Sequence, residues 1–453
     1  MKIYEQICQD LKDDILHQRI KQGERLPSLL SLSQKYNCSK GTVIKAFEQL
    51  RSQHVIYSKP QSGYYVADNL IREEGHQKGF YLNCGNPVVG SFPTFDAHHC
   101  LHIAAEMYST YTLDISYRGI PSLNAILPSY LASEDVHASN ESIYLTQGVT
   151  QILTHLTLTP FPNGKETILI ESPTSKHYLP FLEKCNAKVL TIKRDESGID
   201  LKELERIFKE EDIKFFYVVP RNHNPLGTKL SNHQRKKIIE LAQKHDVYIV
   251  EDDYFGNAHK LPKYVPIHFF SHQKNCILLR SMSKVLPLLR IGIAVVPENL
   301  HQMFNTIMSD SYYYSYFMPN LISQAVYEVY LESSIYEKHY AQITSAINSK
   351  LKSVKQITST WDSQLVTLVG AESGYYFSLR LHPRINVDTL ITELGKKHVF
   401  VISNKDSFYD GEHFDNSIRL TISRITLEHL KEALEIIYET SQHLWNRQIE
   451  PKS

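Results

Sequence analysis

Long apolar runs, net charge and paired cysteines are all missing from this sequence. No stretch of about 18 consecutive apolar residues occurs, and Met1-Lys2-Ile3-Tyr4-Glu5 opens the chain with charge and no apolar segment behind it. Neither a membrane span nor a secretory leader is expected, and a cytoplasmic protein is. Net charge is balanced, with 49 Lys+Arg against 49 Asp+Glu, so any nucleic-acid contact must come from a local basic patch rather than from the average composition. The 6 cysteines, Cys8, Cys38, Cys84, Cys100, Cys185 and Cys276, form no C-x-x-C pair, and the 22 histidines show no H-E-x-x-H spacing. A disulfide framework, a zinc site and metal catalysis are therefore not expected. Internal repeats and low-complexity tracts are absent as well. What is present is 453 residues, 42% hydrophobic and 22% charged, enough for about three compact units on a prior of roughly 150 residues per domain.

The first pattern is helical. Ile3, Ile7, Leu11 and Ile15 recur every fourth residue and would line one face of a helix over 3–18. Leu26-Pro27-Ser28 then offers a proline and an N-cap before Leu29, Leu32 and Tyr36 at helical spacing. Asn37-Cys38-Ser39 provides a turn and a second N-cap, followed by Thr42, Val43, Ala46, Phe47 and Leu50. Two short β-type runs, 55–57 and 64–66, flank Ser58-Lys59-Pro60-Gln61-Ser62-Gly63, a segment suited to a hairpin. Helix, helix-turn-helix and hairpin together predict a winged helix over 1–68. Ser39 would cap a helix offering Lys40 and Thr42 in its first turn, while Lys59 and Gly63 would lie at a wing tip able to approach a phosphate.

The polar, aperiodic stretch 69–79 reads as a linker. Beyond it, β-type runs at 142–146, 167–171, 188–192, 214–219, 247–251, 276–280 and 291–296 alternate with helical stretches, which predicts an α/β domain over 80–320 with a mainly parallel sheet. From 321 to 453 a long amphipathic helix and runs at 374–379 and 417–422 suggest a smaller α+β lobe. In such sheets ligands bind beyond the carboxyl ends of the strands. Those ends carry Gln147-Gly148-Val149-Thr150, then Pro220-Arg221-Asn222-His223-Asn224-Pro225-Leu226-Gly227, then Asp252-Asp253-Tyr254, then Ser281-Met282-Ser283-Lys284 with Arg290 beyond.

In this order the motifs resemble the fold type I pyridoxal-phosphate enzymes of aminotransferase class I/II, from about Phe80 to the carboxy-terminal lobe. The resemblance implies pyridoxal 5'-phosphate as cofactor. It makes Lys284 the amine that condenses with the cofactor aldehyde, and Asp252, with Asp253 as fallback, the carboxylate that keeps the pyridine nitrogen protonated. Asn224 and Tyr254 would hydrogen-bond the phenolic oxygen, while Ser281, Arg290 and the Gly148-Val149-Thr150 turn would cradle the phosphate. Ser417-Ile418-Arg419-Leu420 resembles the segment whose arginine forks onto a substrate carboxylate, which makes Arg419 the effector-binding residue. The amino-terminal unit resembles the GntR-type winged helix in Gly23-Glu24-Arg25-Leu26-Pro27-Ser28, Ser39-Lys40-Gly41-Thr42-Val43 and Ser62-Gly63-Tyr64-Tyr65-Val66. That resemblance adds Arg25 and Ser28 to the DNA-binding set of Ser39, Lys40, Thr42, Lys59 and Gly63. The combination resembles the MocR subfamily of GntR regulators over essentially the whole chain.

Some positions depart from these patterns. Pro173-Thr174-Ser175 lacks the usual stacking aromatic, for which Tyr178 is the candidate substitute, and Asn224-Pro225-Leu226-Gly227 carries Leu226 in place of threonine. Arg290 follows Lys284 by six positions (290 − 284) instead of seven, Leu123-Asn124 stands in place of Leu-Arg, and Leu30 replaces the arginine common after Pro-Ser. Two functions are compatible with the sequence. One is a homodimeric regulator that binds paired half-sites on duplex DNA and senses an amine or amino acid, or the cofactor itself, with residual transaminase activity at most. The other is a working aminotransferase with an amino-terminal interaction arm. The complete winged-helix pattern and the eroded motifs favour the regulator, because turnover tolerates misplacement of about 1 Å less well than binding does.

Overall fold

Alternation of side chains along a strand explains why this chain builds a sheet covered on both faces. The computed structural model describes all residues except 1, 17–18, 22, 53–54, 60–61, 67–78, 86–93, 110–115, 257, 260, 287–288, 316–317, 334, 410–413 and 448–453. Two compact units emerge, Met1–Lys78 and Gly79–Ser453.

The first unit holds helices Ile3–Leu16, Leu29–Lys35 and Lys40–Ser52 and a hairpin of Ile56–Lys59 antiparallel to Gly63–Val66. Ile7, Leu11 and Ile15 meet Leu26, Leu32, Val43, Phe47, Leu50, Ile56 and Val66 in one apolar core, with Phe47 edge-on to Tyr64 at 4.6 Å. Ile3 differs from the expected pattern. It stays 46% exposed, and Cys8 joins the buried face instead. The expected extension of this helix to Gln18 falls on residues outside those described.

The second unit is built on an eight-stranded sheet in the order Ile143–Thr146, Gly292–Val295, Cys276–Ser281, Tyr248–Asp252, Ile213–Val218, Thr167–Ser172, Val189–Asp195, Gly198–Ile199. Gly292–Val295 runs antiparallel to both its neighbours and Gly198–Ile199 antiparallel to its one; the remaining strands are parallel. The sheet is thus mainly parallel, with each expected strand present and the short Gly198–Ile199 strand added. Phe215, Tyr217 and Val219 face a core shared with Val250, while Ile213, Phe216 and Val218 face a second core with Ile249.

Four antiparallel strands, Val366–Val369, Tyr376–Leu381, Ser417–Thr421 and Ile402–Ser403, form the carboxy-terminal lobe. The strand expected at 374–379 begins two residues later, since Gly374 sits at a positive φ of 71° against Asn222 and is part of the turn before it. The unit begins at Gly79, next to the expected start at 80, and contacts cross the expected boundary at 321. Phe80–Tyr81 pairs in parallel with Val399–Phe400 of the lobe, and helix Leu321–Glu332 buries Ala325, Val326 and Val329 in one core with Cys100, Leu123 and Leu127. Of the expected 69–79 linker only Gly79 is described, directly before the Phe80–Tyr81 strand.

Candidate functional site

In the amino-terminal unit, the Ser28 side chain accepts from the Ser31 N–H at 3.1 Å and Ser39 accepts from the Thr42 N–H at 3.2 Å, so both serines cap the helices they precede. Ser39 also shares a 3.0 Å hydroxyl contact with Thr42. Lys40, the first residue of the third helix, is exposed, as are Arg25, Ser28, Ser39 and Lys59; Thr42 and Gly63 are half-exposed. The Lys59 ammonium lies 4.5 Å from the Tyr65 ring centroid and 5.7 Å from that of Tyr57. The Arg25 guanidinium covers Gly63, whose absent Cβ would meet Arg25 Nε at 3.0 Å. Cap and wing are thereby joined: residue 25 also bridges to Tyr65 of the hairpin. Every residue of the expected DNA-binding set is on or near the surface of this unit with its cation in solvent or stacked on a tyrosine.

In the second unit, strand alternation sorts three consecutive carboxylates. Glu251 turns to the face of helix Ile267–Phe270 and accepts the N–H groups of Ile267 at 2.9 Å and His268 at 2.8 Å. Asp253 is buried between two arginines: Arg221 forks onto it at 2.5 and 2.7 Å, and Arg280 Nε approaches at 3.2 Å. Burial pushes the Asp253 carboxyl up, yet the two guanidiniums outweigh it and hold the group below the ordinary value. Asp252 faces a cavity of about 530 Å³. Its Oδ2 accepts from the Tyr217 hydroxyl at 2.6 Å, while the buried Oδ1 has no hydrogen-bond partner. Burial raises the Asp252 pKa to about 7, against the opposing Tyr217 hydrogen bond, with Asp253 adding to the rise. Asp253 as fallback is therefore ruled out by geometry, since its oxygens are spent on Arg221 and Arg280.

The same cavity brings together the other expected residues: Lys284, Tyr254, Asn224, Ser281, Arg290, Gly148, Val149, Thr150 and Arg419 all line it. Lys284 follows strand Cys276–Ser281, whose Leu279 is in register with Asp252. Burial, and after it the charge of Arg419, brings the Lys284 amine down to about 8, with Asp252 pulling the other way. Ser281 Oγ meets Ser283 Oγ at 2.7 Å and accepts its N–H at 3.2 Å, which shapes the turn carrying Lys284. Gly148 has φ of 86° at the start of helix Val149–Leu158, a left-handed conformation that side chains resist, and no protein atom lies within 4 Å of where its Cβ would be. Gly148, Val149 and Thr150 thus bring a helix N-terminus to the cavity wall. Arg290 is exposed at the cavity edge, itself at φ 55°.

Arg419 is buried. Its Nη1 donates to Asn224 Oδ1 at 3.1 Å and its Nη2 to the Asn83 carbonyl at 2.9 Å, its guanidinium stacks 4.5 Å from the Tyr376 ring, and its Nε has no partner. Gly227 lets the Asn224 turn close on this lobe, because any Cβ there would collide with the Tyr376 carbonyl. Tyr254 donates its hydroxyl to the Asn222 carbonyl at 2.6 Å, so serving a cofactor oxygen requires that bond to be exchanged. Tyr178 lines the cavity beside Ser175, its hydroxyl 2.7 Å from Thr157 Oγ1 and its ring edge-on to Tyr217 at 5.1 Å. Sequence reasoning missed Tyr217, Asn83, Cys84, His177 and Tyr376, which also line or brace the cavity. Only the strand order, which puts Tyr217 beside Val250, could have pointed to the first of them. Among the described residues no group of three or more His, Cys, Asp and Glu is arranged to hold a metal ion, and no helix is long and apolar enough to cross a membrane.

These features agree with the comparisons to known proteins. Residues 91–437 match the family Aminotransferase class I and II, and residues 3–66 match Bacterial regulatory proteins, gntR family. The chain is 33% identical over 434 residues to the uncharacterized HTH-type transcriptional regulator YcxD of Bacillus subtilis, covering 92% of this chain and 95% of that protein. It is 24% identical over 447 residues to the HTH-type transcriptional regulator NorG of Staphylococcus aureus, covering 91% and 98%. In fold it is similar to the multiple substrate aminotransferase of Thermococcus profundus, with a TM-score of 0.73 at 21% identity over 81% of this chain and 92% of that one. With both parts matched along one chain, the protein belongs to the class I and II aminotransferase family and carries a GntR-family regulatory module at its amino end, the arrangement of the MocR-type regulators.

Proposed function

We propose that the protein is a DNA-binding transcription regulator that holds pyridoxal 5'-phosphate in its aminotransferase-like unit and uses it to sense an amine or amino acid, or the cofactor itself. The observation that carries this reading is Asp252: a buried carboxyl with one oxygen fixed by Tyr217 and the other unpaired, facing the same cavity as Lys284. An orphaned buried acceptor of this kind fits a cationic ring nitrogen, and the open helix N-terminus at Gly148 with Ser281 and Arg290 fits a phosphate. Bound there, the cofactor supplies an aldehyde that captures amines and a protonated ring that draws electrons from them. Lys284 presents its amine with a pKa near 8, so an appreciable neutral, nucleophilic fraction exists at neutral pH. Arg419, held by Asn83, Asn224 and Tyr376 and retaining free donor capacity, would grip a ligand carboxylate.

In the amino-terminal unit, Lys40, Lys59 and Arg25 would meet phosphates, with the Ser39-capped helix entering the major groove. A homodimer reading paired half-sites is supported by the solvent-facing Tyr313, Tyr314 and Ile322, which are 61%, 83% and 66% exposed and suit burial against a second copy. The aminotransferase reading keeps one point in its favour, that a lysine near pKa 8 beside Asp252 is chemically competent.

The test is a binding assay of the full chain on promoter duplex at moderate salt, with and without pyridoxal phosphate and amino acids. The expected outcome is selective binding that shifts when the loaded protein meets an amine, with Arg419→Ala weakening that response more than tenfold, the cost of a charge-assisted contact of about 1.5–3 kcal/mol. A protein without selective duplex binding that turns over amino acids would make the aminotransferase reading the better one.

A further inference from the structure

A cation and an imidazole lining the cavity, Lys176 and His177, have no task in the reading above. Resting on that reading, we infer that the effector is an amino acid with a second acidic group, an aminodicarboxylate of aspartate or glutamate size, whose side-chain carboxylate docks against Lys176 and His177. Among the described lining residues the cavity carries Lys176, Lys284, Arg290, Arg419 and His177 against a single carboxylate, Asp252. In that reading Arg290 would meet the phosphate, Lys284 and Asp252 the cofactor ring, and Arg419 the α-carboxylate. Lys176 and His177 are left, on the loop that follows strand Thr167–Ser172.

This loop is held in place where it faces the carboxy-terminal lobe. The Thr174 N–H donates to the Ser407 carbonyl at 2.8 Å, and the Lys176 ammonium lies 3.6 Å from Asp406. With the Lys176 side chain 34% and that of Asp406 71% exposed, the pair is solvent-screened and weak, about 0–1 kcal/mol, so a ligand carboxylate can take Asp406's place. His177 is in the same electrostatic neighbourhood: after desolvation, the charges of Arg419, Lys176 and Lys284 keep its imidazole below the ordinary value. A second carboxylate relieves that mutual repulsion, a neutral side chain leaves it in place, and a basic side chain adds to it. Specificity therefore comes as much from exclusion of basic amino acids as from attraction of acidic ones.

The experiment uses the full-length protein loaded with pyridoxal phosphate and titrated with L-glutamate, L-aspartate, L-leucine and L-lysine, followed by visible absorbance and by calorimetry. Expected is an affinity for glutamate or aspartate at least tenfold above leucine, with lysine weakest. Lys176→Glu should lower the glutamate-to-leucine affinity ratio at least tenfold, and His177→Gln should lower it by a smaller factor. Leucine or lysine binding as tightly as glutamate, or a ratio unchanged in Lys176→Glu, overturns the acidic-effector inference and leaves the cavity's sensing role standing. If none of the four amino acids alters the loaded protein by either measurement, the inference falls with the amino-acid part of the sensing role.

Discussion

In the amino-terminal unit the core from Ile7 to Val66 is apolar and the candidate phosphate contacts Arg25, Lys40 and Lys59 are at the surface, whereas the carboxy-terminal unit buries Glu171, Arg194, Arg221, Asp252, Asp253 and Arg280. The contrast follows from what each unit would bind. A duplex presents its charge in water, and exposed cations gain affinity there by releasing counterions, with no need for a perturbed pKa. A small molecule must be held by polar groups removed from water, and that removal is what pushes Asp252 up to about 7 and Lys284 down to about 8. The larger unit spends folding free energy on its site; the smaller does not.

The sharpest way to break this comparison is Lys284→Ala. If the half-buried Lys284 amine is the cofactor's covalent anchor, the visible absorption band of the wild-type protein with pyridoxal phosphate disappears completely in the variant, while the isolated duplex affinity measured by anisotropy retains its salt dependence. A band of undiminished intensity would remove Lys284 from the site.

Asp252→Asn probes the cost of burial and should act on two observables in opposite directions. Cofactor affinity is expected to fall by one to two orders of magnitude, read by equilibrium titration, since a neutral amide cannot pair with a ring cation. The cofactor-free protein is expected to become more stable at pH 8. The sign follows from linkage: the folded pKa of about 7 lies above the unfolded value of about 3.9, so the native state binds more protons between them and stability falls as pH rises through that window. Denaturant unfolding of the cofactor-free wild type from pH 4 to 8 should show this decline, and the variant should show less of it. An identical pH slope in both would mean that Asp252 is not the group responsible.

The smallest effect belongs to the surface. Lys40→Ala or Lys59→Ala should lower duplex affinity only a few-fold at moderate salt, yet reduce the slope of log affinity against log salt by about one. Lys59 is stacked on Tyr65 as well, so Lys59→Arg should restore the slope. An unchanged slope in both alanine variants would place the duplex on another face of this unit.

Much of this molecule was legible in one dimension. Ser28 and Ser39 cap helices because a short hydroxyl before an amphipathic run reaches back to a free N–H, a relation contained within four residues. The sheet strands follow from short β-branched and aromatic runs, and the resemblance carried by the motifs at Gly148, Asn224, Asp252, Lys284 and Arg419 implied the one cavity that these residues line. The family resemblance put Asp252 first with Asp253 as fallback, and the tertiary structure separated the two, because period-two alternation sends neighbours to opposite faces but does not say which face carries the ligand. The tertiary structure also decided that Tyr217 braces Asp252, that the Asn83 carbonyl receives Arg419 from 336 residues away, and that Phe80–Tyr81 pairs with Val399–Phe400. These contacts depend on strand order and on chain closure over long separations. Local propensity and spacing carry no information about either, since both are set by which buried surfaces find each other when the whole chain collapses.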